Sequence, residues 1–92
     1  MIYDIDKIVK ENDINYIYTD RESHSNNVID VECYYILFRN EPHFFIDIFN
    51  SLDDEDNLVS SKLVMTNDDN ETIILTHKQE EMIRNSVSQI EK

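Results

Sequence analysis

The sequence predicts an α+β domain: an antiparallel sheet of four to five strands with an N-terminal and a C-terminal helix, in the order α-β-β-β-β-β-α. Three observations lead there. The chain has 92 residues, the size of a single domain spanning 1–92. Its middle is a series of β-branched and aromatic runs separated by clusters of Asn, Asp and Ser. Its two ends carry apolar residues at helical spacing.

Residues 2–12 place Ile2, Ile5, Ile8 and Val9 on one stripe among Asp4, Lys7, Lys10 and Glu11, which predicts a short amphipathic helix. Residues 14–19 (INYIYT) predict a strand, and the polar stretch 20–27 (DRESHSNN) a loop. Residues 28–39 alternate Ile29, Val31, Cys33, Tyr35 and Leu37 with Asp30, Glu32 and Tyr34, so the first set is expected to face the core. A turn at Asn40, Glu41 and Pro42 leads into residues 43–49. There Phe44, Ile46 and Ile48 share one face, and His43, Phe45, Asp47 and Phe49 the other. The pair reads as a β-hairpin, although Phe44, Phe45, Ile48 and Leu52 also fit a helix.

An acidic connection, 50–57, precedes a strand at 58–66 with Val59, Leu63 and Met65 on one face. The turn signal Asn67, Asp68, Asp69, Asn70 and the run 71–75 complete a second hairpin. Thr76 and Gln79 match a capping box for a helix to about Ile90 that buries Met82, Ile83, Val87 and Ile90. Each helix has one apolar stripe, so both are expected to cover sheet face.

Composition narrows the function classes. Eight Lys and Arg stand against 20 Asp and Glu, a formal net charge of -12. A direct nucleic-acid binder needs a basic face to displace counterions, and an anionic lipid surface makes the same demand. The N-terminus has no apolar core of a secretory signal, and no stretch approaches a membrane span. These features predict a cytoplasmic protein. The chain lacks Gly and Ala. Without Gly there is no phosphate-cradling loop, and positive-φ turn positions fall to Asn or Asp. The bias towards Ile, Asn, Asp and Tyr fits an AT-rich coding sequence, as in a low-GC bacterium or its phage.

No catalytic, cofactor or metal motif emerges. His24, His43 and His77 lack the spacing of a converging ligand set. Counted from Asp53, an EF-hand would need Gly and Glu where Leu58 and Val64 stand. Cys33 is the single cysteine, so no internal disulfide forms, and its apolar neighbours predict a buried, unreactive thiol. No catalytic residue, metal ligand or cofactor is therefore assigned, and the chain is expected not to be an enzyme.

The carboxylates do cluster. Asp30 and Glu32 are expected on one strand face with Asp47 on the same face of the next strand; Asp53, Asp54, Glu55 and Asp56 fall in one loop, and Asp68, Asp69 and Glu71 in a turn. Together with Tyr34 as an aromatic anchor, these are the candidate partner-binding residues. A surface this acidic exceeds the net charge of about 2–8 that solubility asks for.

In format the chain resembles the small acidic inhibitors made by phages, including DNA-mimic anti-CRISPR proteins: about 90 residues, strongly acidic, a small α+β pattern, one cysteine and no catalytic motif. The resemblance implies a protein that occupies the DNA- or RNA-binding groove of a basic host nuclease in a bacterial cytoplasm and blocks it without chemistry. An immunity or antitoxin protein against a cationic nuclease, or an accessory phage interaction module, fits the same composition.

Overall fold

A computed structural model describes residues 3–25, 27–37 and 43–92. The expected order is observed: α1 (Ile5–Glu11), β1 (Ile14–His24), β2 (Asn27–Leu37), β3 (His43–Leu52), β4 (Leu58–Thr66), β5 (Thr72–Ile73) and α2 (His77–Ser88). The strands form one antiparallel sheet in sequence order, β1-β2-β3-β4-β5. The expected turn at 40–42 lies outside the described residues.

Both helices pack on the same side of the sheet. α1 starts at Asp4, whose side chain accepts from the Lys7 amide, and buries Ile5, Ile8 and Val9. α2 starts at the predicted capping box, with the Gln79 amide donating to Thr76 Oγ1 (3.1 Å) and the Thr76 amide to Gln79 Oε1 (2.9 Å); a cap of this kind contributes about 1 kcal/mol. Ile83 and Val87 enter the core, while Met82 and Ile90 are partly buried against it. From the sheet come Tyr34, Ile36, Phe44, Ile46, Ile48 and Met65. Tyr3 sets its ring edge-on against Phe44 at 5.0 Å.

The β2–β3 register decides which face is core. Tyr34 pairs with Ile46 and Ile36 with Phe44, so Tyr34 and Ile36 face the helices at 1% and 0% exposure. This reverses the expected orientation of β2: Ile29, Val31, Cys33 and Tyr35 lie on the face away from the helices. The strand is apolar on both sides from Cys33 to Leu37, so alternation alone does not choose. The Phe44, Ile46 and Ile48 set of β3 does, and it carries the facing residues of β2 with it. In β4, Leu63 and Met65 face the helices as expected, but Val59 falls at a register shift opposite Ser51/Leu52 and is exposed.

Both helices are shorter than expected, α1 beginning at Ile5 and α2 ending at Ser88, and three strand boundaries differ. Residues 20–24 continue β1, pairing from Asp20↔Val31 to His24↔Asn27. A bulge at Ile17 and a run of charged residues make this the blunted edge strand that tolerates polar side chains. β3 runs on to Leu52. β5 is reduced to Thr72 and Ile73, leaving Ile74 93% exposed.

With no glycine, Asp56 (φ 64°) and Asn70 (φ 63°) take the left-handed positions of the two tight turns, as the residue types allow. The molecule measures 41 × 26 × 23 Å.

Candidate interaction surface

The acidic residues separate into those spent on the fold and those left to solvent. Asp30 belongs to the first group: Arg21 grips it bidentately, Nε to Oδ1 at 2.6 Å and Nη2 to Oδ2 at 2.8 Å. That guanidinium holds the Asp30 carboxyl below the usual carboxylate range. Glu32 accepts from the Tyr34 hydroxyl (3.0 Å) and Asn50 Nδ2 (3.0 Å), and it is ion-paired with Lys92. Asn50 Oδ1 in turn accepts from Ser61 Oγ, which accepts from Arg84, itself paired with Glu80. The expected acidic strand face at Asp30 and Glu32 is therefore a neutralised network on the helix-bearing side. Asp47 is not part of it. It pairs with Cys33 across the strands and lies on the opposite face.

The two acidic turns are each organised by one side chain. Asp53 Oδ1 accepts from the amides of Glu55 and Asn57, both at 2.9 Å, and Oδ2 from Asn57 Nδ2 at 3.2 Å. These bonds, the Asn57 amide foremost, lower the Asp53 pKa. In the β4–β5 turn the organiser is Asn67, which the sequence marks only as part of the turn signal. Its Oδ1 accepts from the Asp69 and Glu71 amides (3.0 and 2.9 Å), and its Nδ2 donates to Glu71 Oε1 (3.1 Å). Asn67 is only 7% exposed yet fully bonded. Asp68 accepts from the His43 amide at 2.9 Å, tying this turn to β3. Of the turn residues, Asp54, Glu55, Asp56 and Asp69 carry side chains with no hydrogen bond or ion pair among the described residues, and all four are exposed.

Tyr34, expected as a surface anchor, is a core residue at 1% exposure, against which Tyr16 packs edge-on at 5.7 Å. The aromatics that do reach solvent are on the other face: Tyr18, Phe45 and Phe49, 53%, 36% and 37% exposed. Tyr18 and Phe45 line, with Cys33 and Asp47, a shallow groove of about 410 Å³ that also reaches Thr66 and Asp68. Burial pushes the Cys33 thiol up, and the neighbouring Asp47 adds to it. A thiol held protonated in this way is a poor nucleophile. Two histidines stand apart, His24 at 3.7 Å from Glu22 and His77 at 3.8 Å from Glu81, both in exposed pairs, while His43 sets its ring edge-on to Phe45 at 6.5 Å.

The cations are distributed unevenly. Arg21, Arg84 and Lys92 are used in ion pairs on the helix-bearing side, Lys7, Lys10 and Lys78 stand on the helices, and among the described residues Lys62 alone lies on the open face. Asp20, Glu22 and Asp47 share that face. Asp54, Glu55 and Asp56 project from one end of the sheet, and Asp69 from the other. Among the described residues no group of three or more His, Cys, Asp or Glu is placed to hold a metal ion, and no helix is long and apolar enough to cross a membrane. No protein family, curated protein or solved structure matches the chain.

Proposed function

We propose that this protein is a non-enzymatic acidic inhibitor that binds a positively charged nucleic-acid-handling protein, such as a CRISPR effector or another host nuclease in a bacterial cytoplasm, and blocks its DNA- or RNA-binding groove. The observation that carries this reading is the segregation of charge: among the described cations Arg21, Arg84 and Lys92 are paired on the helix-bearing side and only Lys62 lies on the open face, so carboxylate is in excess on that face and at the two turns. Fields of this kind raise on-rates towards a basic partner by roughly 10–1,000-fold at low salt.

Size supports competition for a groove. The long axis is 41 Å, and a duplex of that length carries about 24 phosphates at one charge per ~1.7 Å. The net charge of -12 is half of that. The protein therefore acts as a partial charge mimic whose occupancy depends on local clusters, chiefly Asp54, Glu55 and Asp56.

The test is affinity capture from a bacterial host lysate with identification by mass spectrometry. Competition on the purified partner then follows, with a labelled duplex or guide RNA displaced by increasing inhibitor. The expected result is mutually exclusive binding that weakens steeply as salt rises. A partner that holds nucleic acid and this protein together, with no loss of either, refutes the reading.

A further inference from the structure

We propose that the open face of the sheet is a self-association surface, on which a second copy of this chain packs face to face about a two-fold axis running parallel to the strands between β2 and β3. This contact uses the open face and leaves the two acidic turns free, so its test on the chain alone is decided separately from the inhibitory reading.

The first argument is the face itself. Both helices cover one side of the sheet, and nothing in the described chain covers the other, where Tyr18, Phe45 and Phe49 are more than a third exposed. Four long strands about 4.8 Å apart, each rising about 3.3 Å per residue over some ten residues, present roughly 500–600 Å² per copy. Two such faces bury about 1,000–1,200 Å², enough for a specific interface.

The second argument is register. The axis places β4 over the second copy's β1 and β3 over its β2, about 10 Å away as in stacked sheets. Each cross-strand row then meets itself reversed. The row Asp20–Val31–Phe49–Lys62 sets Lys62 against the second copy's Asp20 and Phe49 against its Val31. The row containing Tyr35 and Phe45 sets these two rings against each other. Val64 meets the second copy's Tyr18. The one described cation of the face thus lands on a carboxylate, twice by symmetry. The acidic turns sit at the ends of the strands, outside the contact, where salt screens their repulsion over about 8 Å.

Two positions do not match. Glu22 meets the second copy's Ser60. Asp47 meets the second copy's Cys33, and the two Asp47 carboxylates flank the axis with no described cation of the face beside them. The mismatch at Asp47 separates a second copy from a cationic partner, because a cationic partner would use Asp47 as its anchor.

The experiment is sedimentation velocity and light scattering on the full chain at roughly 10–300 µM, a range that brackets weak to moderate association, at low and high NaCl. The expected result is a concentration-dependent species of twice the 11.0 kDa chain mass, favoured by salt. Phe45→Glu should weaken it at least about 100-fold, a desolvated charge replacing an aromatic contact. Asp47→Asn should tighten it about tenfold by removing two facing charges. Asp20→Lys should weaken it about tenfold, and adding Lys62→Asp should restore it to within about threefold, because the swapped pairs re-form. If Phe45→Glu fails to fold by circular dichroism, the Asp20/Lys62 swap, made at two exposed positions, decides alone. A mass fixed at 11.0 kDa at every concentration and salt overturns the proposal. So does a dimer indifferent to the swap, which would be built elsewhere, as on the β4 edge. Weakening by Asp47→Asn also overturns it, because the two carboxylates would then not face each other across the axis.

Discussion

Replacing Tyr34 and Phe45, on opposite faces of the sheet, tests which face is the core. Tyr34 is 1% exposed, in contact with Tyr16 and the helix-side cluster, whereas Phe45 is 36% exposed. Truncating a fully buried aromatic costs about 3–5 kcal/mol, the lost transfer energy plus the cavity left behind. A domain of 92 residues has about 5–14 kcal/mol in total, so Tyr34→Ala removes from about a fifth of it to all of it. With a urea slope of about 1–1.5 kcal/mol/M for a chain this small, the midpoint falls by about 2–5 M. Phe45→Ala removes a ring that already touches water and should cost less than about 1.5 kcal/mol in the monomer. Tyr34→Phe isolates the hydroxyl's bond to Glu32 (3.0 Å); losing a hydrogen bond to a charged acceptor costs about 1.5–3 kcal/mol. Urea unfolding followed by circular dichroism, at a concentration where the chain is monomeric, measures all three. Equal losses for Tyr34→Ala and Phe45→Ala would mean that the core lies on both faces or on the other one, and the β2–β3 register argument would fail.

The other predictions use the same reading of individual side chains. Asp53→Ala should destabilise the native state at neutral pH and shrink the acid-induced loss of stability. A carboxyl lowered in the folded state contributes fully above its unfolded value of 3.8 and loses that contribution as pH falls through the folded value. Asp54→Lys and Glu55→Lys, in the same turn but with side chains that make no hydrogen bond among the described residues, should leave the urea midpoint unchanged while weakening capture of a basic partner by more than about tenfold; a shifted midpoint would show them to be structural. Cys33 should react slowly with a thiol reagent at pH 8 and rapidly once unfolded. Its raised pKa contributes stability that is complete below the unfolded value of 9.0 and is lost as pH rises through the folded value. Thr76→Ala should cost about 0.5–2 kcal/mol by opening the capping box, and Thr76→Ser should recover most of it.

Much of this fold is legible from residue spacing. The stripe Ile5, Ile8, Val9 and the pair Thr76/Gln79 mark both helices, and the alternation Phe44, Ile46, Ile48 gives β3 its correct inner face. The inner face of β2 is not legible. Cys33 through Leu37 are apolar without interruption, and only pairing with β3 tells Tyr34 from Tyr35. Polar residues 20–24 look like a loop because an edge strand needs no apolar face of its own; their partners on β2 make them a strand. The acidic clusters mislead in a different way. Composition counts carboxylates without showing their hydrogen-bond partners. Asp53 with Asn57, and Asn67 with Glu71, carry the four-residue spacing of a side chain capping its own turn. That signal could have separated structural from free acids. Nothing local to Asp30 or Glu32 points to Arg21 and Lys92, which reach them only through the tertiary fold.

The same topology that hides those two carboxylates creates the outward charge. Stacking both helices on one face brings Lys92 to Glu32 of the sheet and sets Arg84, paired with Glu80 one turn earlier on α2, against Ser61. Each pair formed there withdraws one positive charge from the surface field and leaves a carboxylate elsewhere uncompensated. The bare face inherits aromatics with three carboxylates against Lys62, and the strand ends inherit the turn acids. Steering and packing then fall on separate parts of the molecule. Reversing Asp54 and Glu55 alters attraction to a basic partner without touching the sheet, and Phe45→Glu alters packing without touching the turns. Salt moves the two associations in opposite directions: it weakens capture of a cation-rich partner and strengthens contact between two copies of an acidic chain. A single salt series on the parent and these two variants therefore assigns each association to its own surface. It would reject the division of labour if one variant abolished both.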